Sequence, residues 1–432
     1  MAEAMVPRQA DVVIVGGGIV GAASAYYLAQ RGVSVVLLER AEVGAEQSGR
    51  NWGFVRQQGR HPLEIPLAVE SNRIWQSAET DLDADIEWTR GGNLGFALTE
   101  ERLAQYEGWI EEARGLIDAR IVTPDEIRGL IRGLKGDVLG GLHTPSDGHA
   151  DPVKATRAFA SAAEAAGATI VTGCAVDGIE TSDGTVIGVS SERGEIAAST
   201  VVNAAGAWSS RLLSALGLRL PQRLVRATVQ RTTPLPPITS AGVWAGGFSF
   251  RQRRDGRVIL AGGRVQHDMT LASLPQLRRF LPNFWRNREL FRLRVGRPLL
   301  RDLADRMSRG ERSRYPFRSA HATDPGPDQQ LAERALQMFR EWLPEAGAVE
   351  SEQQWAGVID STPDAIPVID ALDSPRGLVV ATGFSGHGFA LGPIAGRLVS
   401  ELIVDETPSL DLTGFRYARF AENALAEPRA VL

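Results

Sequence analysis

A glycine-punctuated crossover at residues 11–39 restricts this chain more than any other stretch. Asp11-Val12-Val13-Ile14-Val15 is a short apolar run rich in β-branched residues, the pattern of a buried parallel strand. It passes straight into Gly16-Gly17-Gly18-Ile19-Val20-Gly21. Glycines at 16, 18 and 21 give a tight turn, an open backbone for a diphosphate, and close packing of the next helix on the strand. Ala22 to Arg31 reads as that helix, and its leading amides at Ile19 and Val20, with the positive dipole end, face the diphosphate. Gly32 stops it. Val33 to Leu38 is a second strand, and Glu39 stands at its end to accept from ribose hydroxyls, with Arg40 beside it. Strand, glycines, helix, strand and acid in this order predict dinucleotide binding. An ordinary βαβ turn is the competing reading.

The next stretch, Ala41 to Gln58, is polar and rich in glycine, so it reads as a loop. It offers Ser48, Gly49, Arg50 and Asn51 to phosphates or a ring edge, against the alternative of a plain surface loop. Glu64 to Thr80 and Glu100 to Ala119 read as surface helices, with a strand pair, Ile86 to Trp88 and Asn93 to Leu98, turning at Gly91-Gly92. Thr123-Pro124-Asp125-Glu126 caps a helix, and His149 to Pro152 caps the alanine-rich helix 153–166 after a turn at Asp147-Gly148. Strand-like runs return at 168–171 and 176–179, pass through a hairpin, and close at Ser199 to Gly206, where small residues again allow close backbone approach. Further sheet is predicted at 224–232, 242–250 and 257–261. Residues 274–309 interleave leucine, phenylalanine and Trp285 with many arginines. They read as an amphipathic helix pair, with a membrane-surface or partner-docking face as the alternative. Finally Leu378 to Thr382 is a strand entering Gly383-Phe384-Ser385-Gly386-His387-Gly388, and a helix follows at 390–404. A second helix N-terminus suits partial negative charge, which a flavin ring edge gathers on reduction and a nicotinamide does not.

Composition narrows the class. At 432 residues the chain calls for two domains. A net charge of −5 gives no electrostatic case for nucleic acid. Lys135 and Lys154 are the only lysines, and Cys174 is the sole cysteine, which excludes a disulfide framework and a thiolate metal cluster. Residues 1–10 carry no leader-like pattern and no apolar run spans a bilayer, so a cytoplasmic setting, with peripheral contact at the inner membrane face as its variant, is the expectation.

Four segments together resemble the D-amino-acid oxidase-like FAD oxidoreductases: Gly16 to Glu39, Ser48 to Arg56, Val201 to Trp208 (VVNAAGAW) and Thr362 to Gly388 (TPDAIP, then GFSGHG). That family includes glycine oxidase, sarcosine oxidase and D-amino-acid dehydrogenase. The resemblance implies a mixed α/β fold, in which a Rossmann-like FAD domain (1–60, 148–212, 350–432) interleaves with a substrate domain on a large antiparallel sheet (61–147, 213–349). It implies that Val176 meets adenine through its backbone, and that Ala205, Gly206, Trp208, Gly357, Gly383, Ser385, Gly386, His387, Gly388 and Phe389 join the cofactor site. The chain departs from the family's Gly-x-Arg-Pro stretch, reading Gly357-Val358-Ile359-Asp360. It has Gly357 where monomeric sarcosine oxidase attaches its flavin to cysteine, so non-covalent FAD is expected. Ala390 stands where that enzyme has a carboxylate-binding lysine, whereas Arg56 matches its carboxylate-binding arginine.

The function so implied is oxidation of a C–N bond. A neutral amine or amino acid loses hydride to flavin N5, and the imine hydrolyses. Arg56 is the candidate for a substrate carboxylate, with a structural ion pair as the alternative. His387 is expected to act through position and backbone, and Gln58, His61, Trp244 and Arg251 are further pocket candidates. Electrons would pass to oxygen or to a quinone or dye-type acceptor, the latter favoured. Two rivals remain at this point: an FAD subunit dependent on a partner for electron transfer, and an NAD-dependent dehydrogenase.

Overall fold

The computed structural model describes residues 6–113, 115–268, 277–288, 291–294, 325–405 and 407–429. Two sheets organise it. The first has six strands in the order Val368–Ala371, Leu378–Thr382, Thr200–Asn203, Val12–Val15, Val35–Leu38, Thr169–Val171. All neighbours are parallel except the edge strand Val368–Ala371. Val12–Val15 lies inside it, paired from Val12 to Val35 on one side and from Val12 to Thr200 on the other. Its unbroken burial is what a strand covered on both faces requires.

The helix Ile19–Gln30 is apolar nearly all round because it is sandwiched. It packs against Pro152–Ala165 and against Gly388–Val404. At the second crossing a Cβ on Gly396 would lie 2.5 Å from Ala23, so only glycine lets the two backbones come this close.

The second sheet has ten strands, mostly antiparallel. From Phe291–Arg294 the order runs through Val265–Asp268, Arg223–Thr232, Val258–Gly262, Phe248–Gln252, Gly242–Trp244, Asn93–Ala97 and Gly140–Thr144 to Arg120–Val122. Ser351–Ser361 pairs with Arg223–Thr232 along its whole length. The helix Gln329–Trp342, N-capped by Asp328, lays Ala335, Leu336 and Phe339 on Phe248, Phe250, Val258 and Leu260. Ser351–Ser361, expected within the nucleotide half from residue 350, is thus a strand of the large sheet. Its last residue also bridges to Phe384.

Several local expectations change. Ile86 to Trp88 is not a strand; Asn93–Ala97 pairs instead with Gly140–Thr144 and Gly242–Trp244, partners distant in sequence. The polar stretch after Glu39 contains a one-turn helix, Gln47–Arg50, and a short strand, Phe54–Val55, paired with Gly148–His149. Among the described residues, the segment predicted as a helix pair has the helix Leu277–Arg286 and the strand Phe291–Arg294, parallel to Val265–Asp268. The remainder of 274–309 lies outside the described residues. No described helix is long and apolar enough to cross a membrane.

Candidate functional site

One cavity of about 690 Å³ runs from the glycine loop to the large sheet, and most of the residues singled out in the sequence stand on its wall. At its nucleotide end the chain leaves Val15 through Gly16 at φ +109°, where a Cβ would lie 2.6 Å from the Ala204 carbonyl oxygen. A Cβ on Gly21 would fall 2.0 Å from the Gly16 carbonyl oxygen, whereas one on Gly18 would meet only the Ser48 hydroxyl. The three glycines therefore differ: two allow the turn to close and the third leaves its outer surface open. The Ile19 amide donates to Ser48 Oγ (2.9 Å), which ties the loop to the helix start. Glu39 accepts from the Gly17 amide through one oxygen and from the Ala41 amide through the other, each at 2.7 Å, and burial raises its pKa. Arg40 stacks over Trp208, 4.5 Å from the ring centroid. Val176, Ala205 and Gly206 complete this end.

Arg50 donates from Nε to the Ala45 carbonyl, while its Nη1 is buried without a partner on the cavity wall. An orphaned guanidinium nitrogen beside an open glycine turn and a helix N-terminus fits a diphosphate. Gly49 and Gly383 are not on the wall; they stand where a side chain would strike Gly44 or Thr362. Asn51 lines the wall but bonds Ser48 and Gly53 within its own loop.

The second glycine loop closes the other side. Gly383, Ser385 and Gly386 all have positive φ, and His387 caps the helix Gly388–Val404, with Phe389 behind it. Asp360, in the stretch that departs from the family pattern, is buried and holds this loop. Its carboxylate accepts from the Gly383 amide (2.8 Å), Gln47 Nε2 (2.8 Å) and Gln222 Nε2 (3.1 Å). Burial raises its pKa against those bonds. Gly357 lies on the same strand, on the wall.

Toward the large sheet the wall carries Arg56, Arg60, His61, Glu64, Tyr106 and Trp244. The Arg56 guanidinium lies 4.4 Å over the Trp244 ring. Burial first, and the Arg60 cation second, push its pKa down to about 9. Arg60 donates from Nε to the Arg56 carbonyl, and its Nη1 is buried with no partner. His387 Nδ1 sits 3.0 Å from Oε1 of Glu64, a side chain only 1% exposed. Burial alone would raise Glu64, but His387, Arg60 and His61 hold it below the usual carboxylate range.

Two of the substrate-side candidates also lie elsewhere. Gln58 is off the wall: its Nε2 donates to the Leu142 carbonyl (2.8 Å) and its Oε1 accepts from Asn93, so its amide is engaged inside the sheet. Arg251 is buried, with Nε donating to the Trp52 carbonyl, and is also off the wall. Arg60 and Glu64 were missed. No periodic pattern marks them, because the chain from Arg56 to Glu64 runs through turns before the helix that begins at Ile65. Asn283, Asn287 and Arg429 also reach the cavity from remote segments, which no local pattern shows.

Comparison with known proteins agrees with this geometry. The chain is 25% identical to human mitochondrial sarcosine dehydrogenase over 98% of its own length but 43% of that protein, so it spans less than half of that relative. It is 27% identical to glycine oxidase of Geobacillus kaustophilus, covering 95% of this chain and 97% of that one. The L-amino acid deaminase of Proteus myxofaciens, solved with anthranilate, superposes with a TM-score of 0.89 at 26% identity, covering 97% of this chain and 95% of that one. Residues 11–402 match the family described as FAD dependent oxidoreductase, and the chain belongs to that family.

Proposed function

We propose that the chain oxidises the C–N bond of an amino acid or N-alkyl amino acid, and that the carboxylate of the substrate lies on Arg56. The observation that carries this reading is a buried guanidinium, stacked on Trp244, in the same cavity as the FAD-type glycine loops. A cation so desolvated and repelled by Arg60 gains more from an anion than an exposed arginine does. Trp52, Phe54 and Trp244 form an aromatic cluster beside it, with Trp52 and Trp244 centroids 5.1 Å apart, which favours an apolar substituent on the amino acid.

FAD would be held by Gly16 to Val20, Glu39, Ser48, Arg50, Val176, Ala205 to Trp208 and Ser385 to Gly388, and it supplies a two-electron acceptor for the α-hydrogen. The chain's own part is to hold the carboxylate, keep the α-carbon in one orientation and exclude water. Relatives named for sarcosine, glycine and L-amino acids support amine substrates, as does the anthranilate carried by the Proteus enzyme.

The test is anaerobic mixing of the yellow holoprotein with N-methylglycine, glycine and both enantiomers of alanine and phenylalanine, followed by flavin absorbance. Bleaching by at least one is expected, and bleaching by none overturns the reading. In parallel, anthranilate should perturb the flavin spectrum of the wild type. Arg56→Ala should weaken that binding by about 30-fold or more, as expected for losing a buried charge-assisted pair worth about 2–5 kcal/mol. Arg56→Lys should not restore it, because an ammonium lacks the two-pronged geometry. Unchanged anthranilate affinity in Arg56→Ala would move the carboxylate elsewhere.

A further inference from the structure

Hydride leaves an α-carbon only when the adjacent nitrogen has a lone pair to form the imine π bond, yet amino acids reach a protein at neutral pH as ammonium ions. A cavity built for this reaction therefore gains from a proton acceptor near the carboxylate site. Most of the wall's acidic groups are already committed. Asp360 is held by Gln47, Gln222 and Gly383, and Asp364 is ion-paired with the buried Arg419 at 2.9 Å. Glu39 and Glu46 belong to the nucleotide end, where Glu46 pairs with Arg40.

The two histidines on the wall differ in tautomer. His61 Nδ1 accepts from the Leu63 amide (3.2 Å), which places the proton of its neutral ring on Nε2 and leaves no acceptor atom. His387 is the reverse. Its Nδ1 faces Oε1 of Glu64 at 3.0 Å, so the proton belongs on Nδ1 and Nε2 keeps its lone pair. The ring retains 19% exposure, to the cavity it lines, while Glu64 is shut away behind it.

We propose that His387 is the proton acceptor for the substrate ammonium, through Nε2, and that Glu64 is the positioning residue that fixes its tautomer. This rests on the amine-oxidation reading above. In the step an ammonium N–H bond breaks and its electron pair stays on nitrogen, while a new bond forms between the proton and Nε2. The imidazolium then shares its Nδ1 proton with the Glu64 carboxylate, and the Nε2 proton returns to water after product leaves. The charged groups facing the ring are Glu64, Arg60 and Arg56. Burial and Arg60 favour the neutral ring and Glu64 opposes them, leaving His387 below the usual histidine range and able to accept. The Arg60 cation keeps Glu64 ionised and disfavours the imidazolium, which favours release of the Nε2 proton to water.

The experiment uses holoprotein and the first amine of the panel that bleaches the wild-type flavin. In His387→Asn the rate of anaerobic flavin reduction should fall about 10²–10⁴-fold at pH 7. By pH 10, where most of the amine is already neutral, the deficit should shrink at least tenfold. Glu64→Gln should show a smaller loss with the same alkaline recovery. A deficit equal at both pH values, or no deficit, overturns the proposal while leaving the oxidation reading intact; a wild type that no amine bleaches overturns both. If His387→Asn fails to retain flavin, ¹⁵N NMR of the imidazoles in wild-type protein decides, since the chain has only six histidines. An unprotonated Nε2 on His387 at pH 7.5 is expected, moving toward mixed tautomers in Glu64→Gln. A protonated Nε2 at that pH overturns the proposal.

Discussion

His149 shows how strongly burial governs a single titrating side chain in this protein. It is 1% exposed, its Nε2 is 3.1 Å from the Ser240 carbonyl, and burial followed by the Arg251 cation pushes its pKa down to about 3. The folded value lies below the unfolded one of about 6.5, so the native state binds fewer protons between those limits. Stability is therefore lost as pH falls below about 6.5, by about 1.4 kcal/mol per unit. Asp147 acts with the opposite sign. Burial raises it to about 6 despite bonds from the Gln57 and Gln58 amides, so folding regains stability as pH falls from about 6 toward 4. Chemical denaturation at pH 7 and pH 5 should show His149→Gln losing about 2 kcal/mol less than wild type over that interval. Asp147→Asn should lose more than wild type. Equal losses in all three would place the acid sensitivity in other groups.

Within the elements, legibility followed distance along the chain. The crossover from Val12 to Glu39 was readable because its strand, turn, helix and second strand follow one another without a break and the two strands pair with each other. The capping box at Thr123 and Glu126 was likewise readable from contiguous residues. The failures are long-range. Ile86 to Trp88 looked like a partner for Asn93–Ala97 only because it is near in sequence, and Gln58 looked available because its partners, the Leu142 carbonyl that accepts from it and the Asn93 amide that donates to it, are not its neighbours. Arg60 and Glu64 lie in a polar stretch that reads as surface, and the partner of Glu64, His387, is more than 300 residues away in sequence. The glycines of the first turn allow a finer prediction than loss of the cofactor alone. Gly21→Ala drives a Cβ to 2.0 Å from a carbonyl oxygen and should lower folding stability by about 1–3 kcal/mol. Gly18→Ala meets only a hydroxyl at 3.0 Å. It should keep the thermal stability of the apoprotein while the flavin-to-protein ratio falls severalfold after gel filtration. Equal stability losses in the two variants would mean that the helix does not pack as described.

At the scale of the whole molecule, the two lysines bear on where the electrons go. Lys135 is paired with Glu345 (3.0 Å) and Lys154 with Asp85 (2.9 Å), and neither lines the cavity. No ammonium therefore stands by to stabilise negative charge developing on oxygen. We accordingly expect substrate-reduced flavin to reoxidise slowly in air-saturated buffer and quickly with a quinone or dye; faster reoxidation by oxygen than by dye would reverse the assignment. Gly357 offers no thiol on the flavin side of the wall, and the one cysteine, Cys174, lines the nucleotide end with its amide on the Glu39 carbonyl, so acid precipitation should leave the yellow colour in the supernatant, and a yellow pellet would show a covalent bond.

The strand Ser351–Ser361 runs along Arg223–Thr232 for its full length and ends by bridging to Phe384 beside the flavin-type loop. A single ribbon thus ties the large sheet to the loop that leaves the last strand of the six-stranded sheet. Bending the halves apart would shear backbone hydrogen bonds at one end of it or the other, and cleft opening by rotation of one half about a flexible joint is disfavoured. Asn283, Asn287 and Arg429 reach the same cavity from remote segments, and Asn287 Nδ2 donates to the Arg429 carbonyl (3.3 Å). The nucleotide cradle and the Arg56 wall would then stay at constant separation through each turnover.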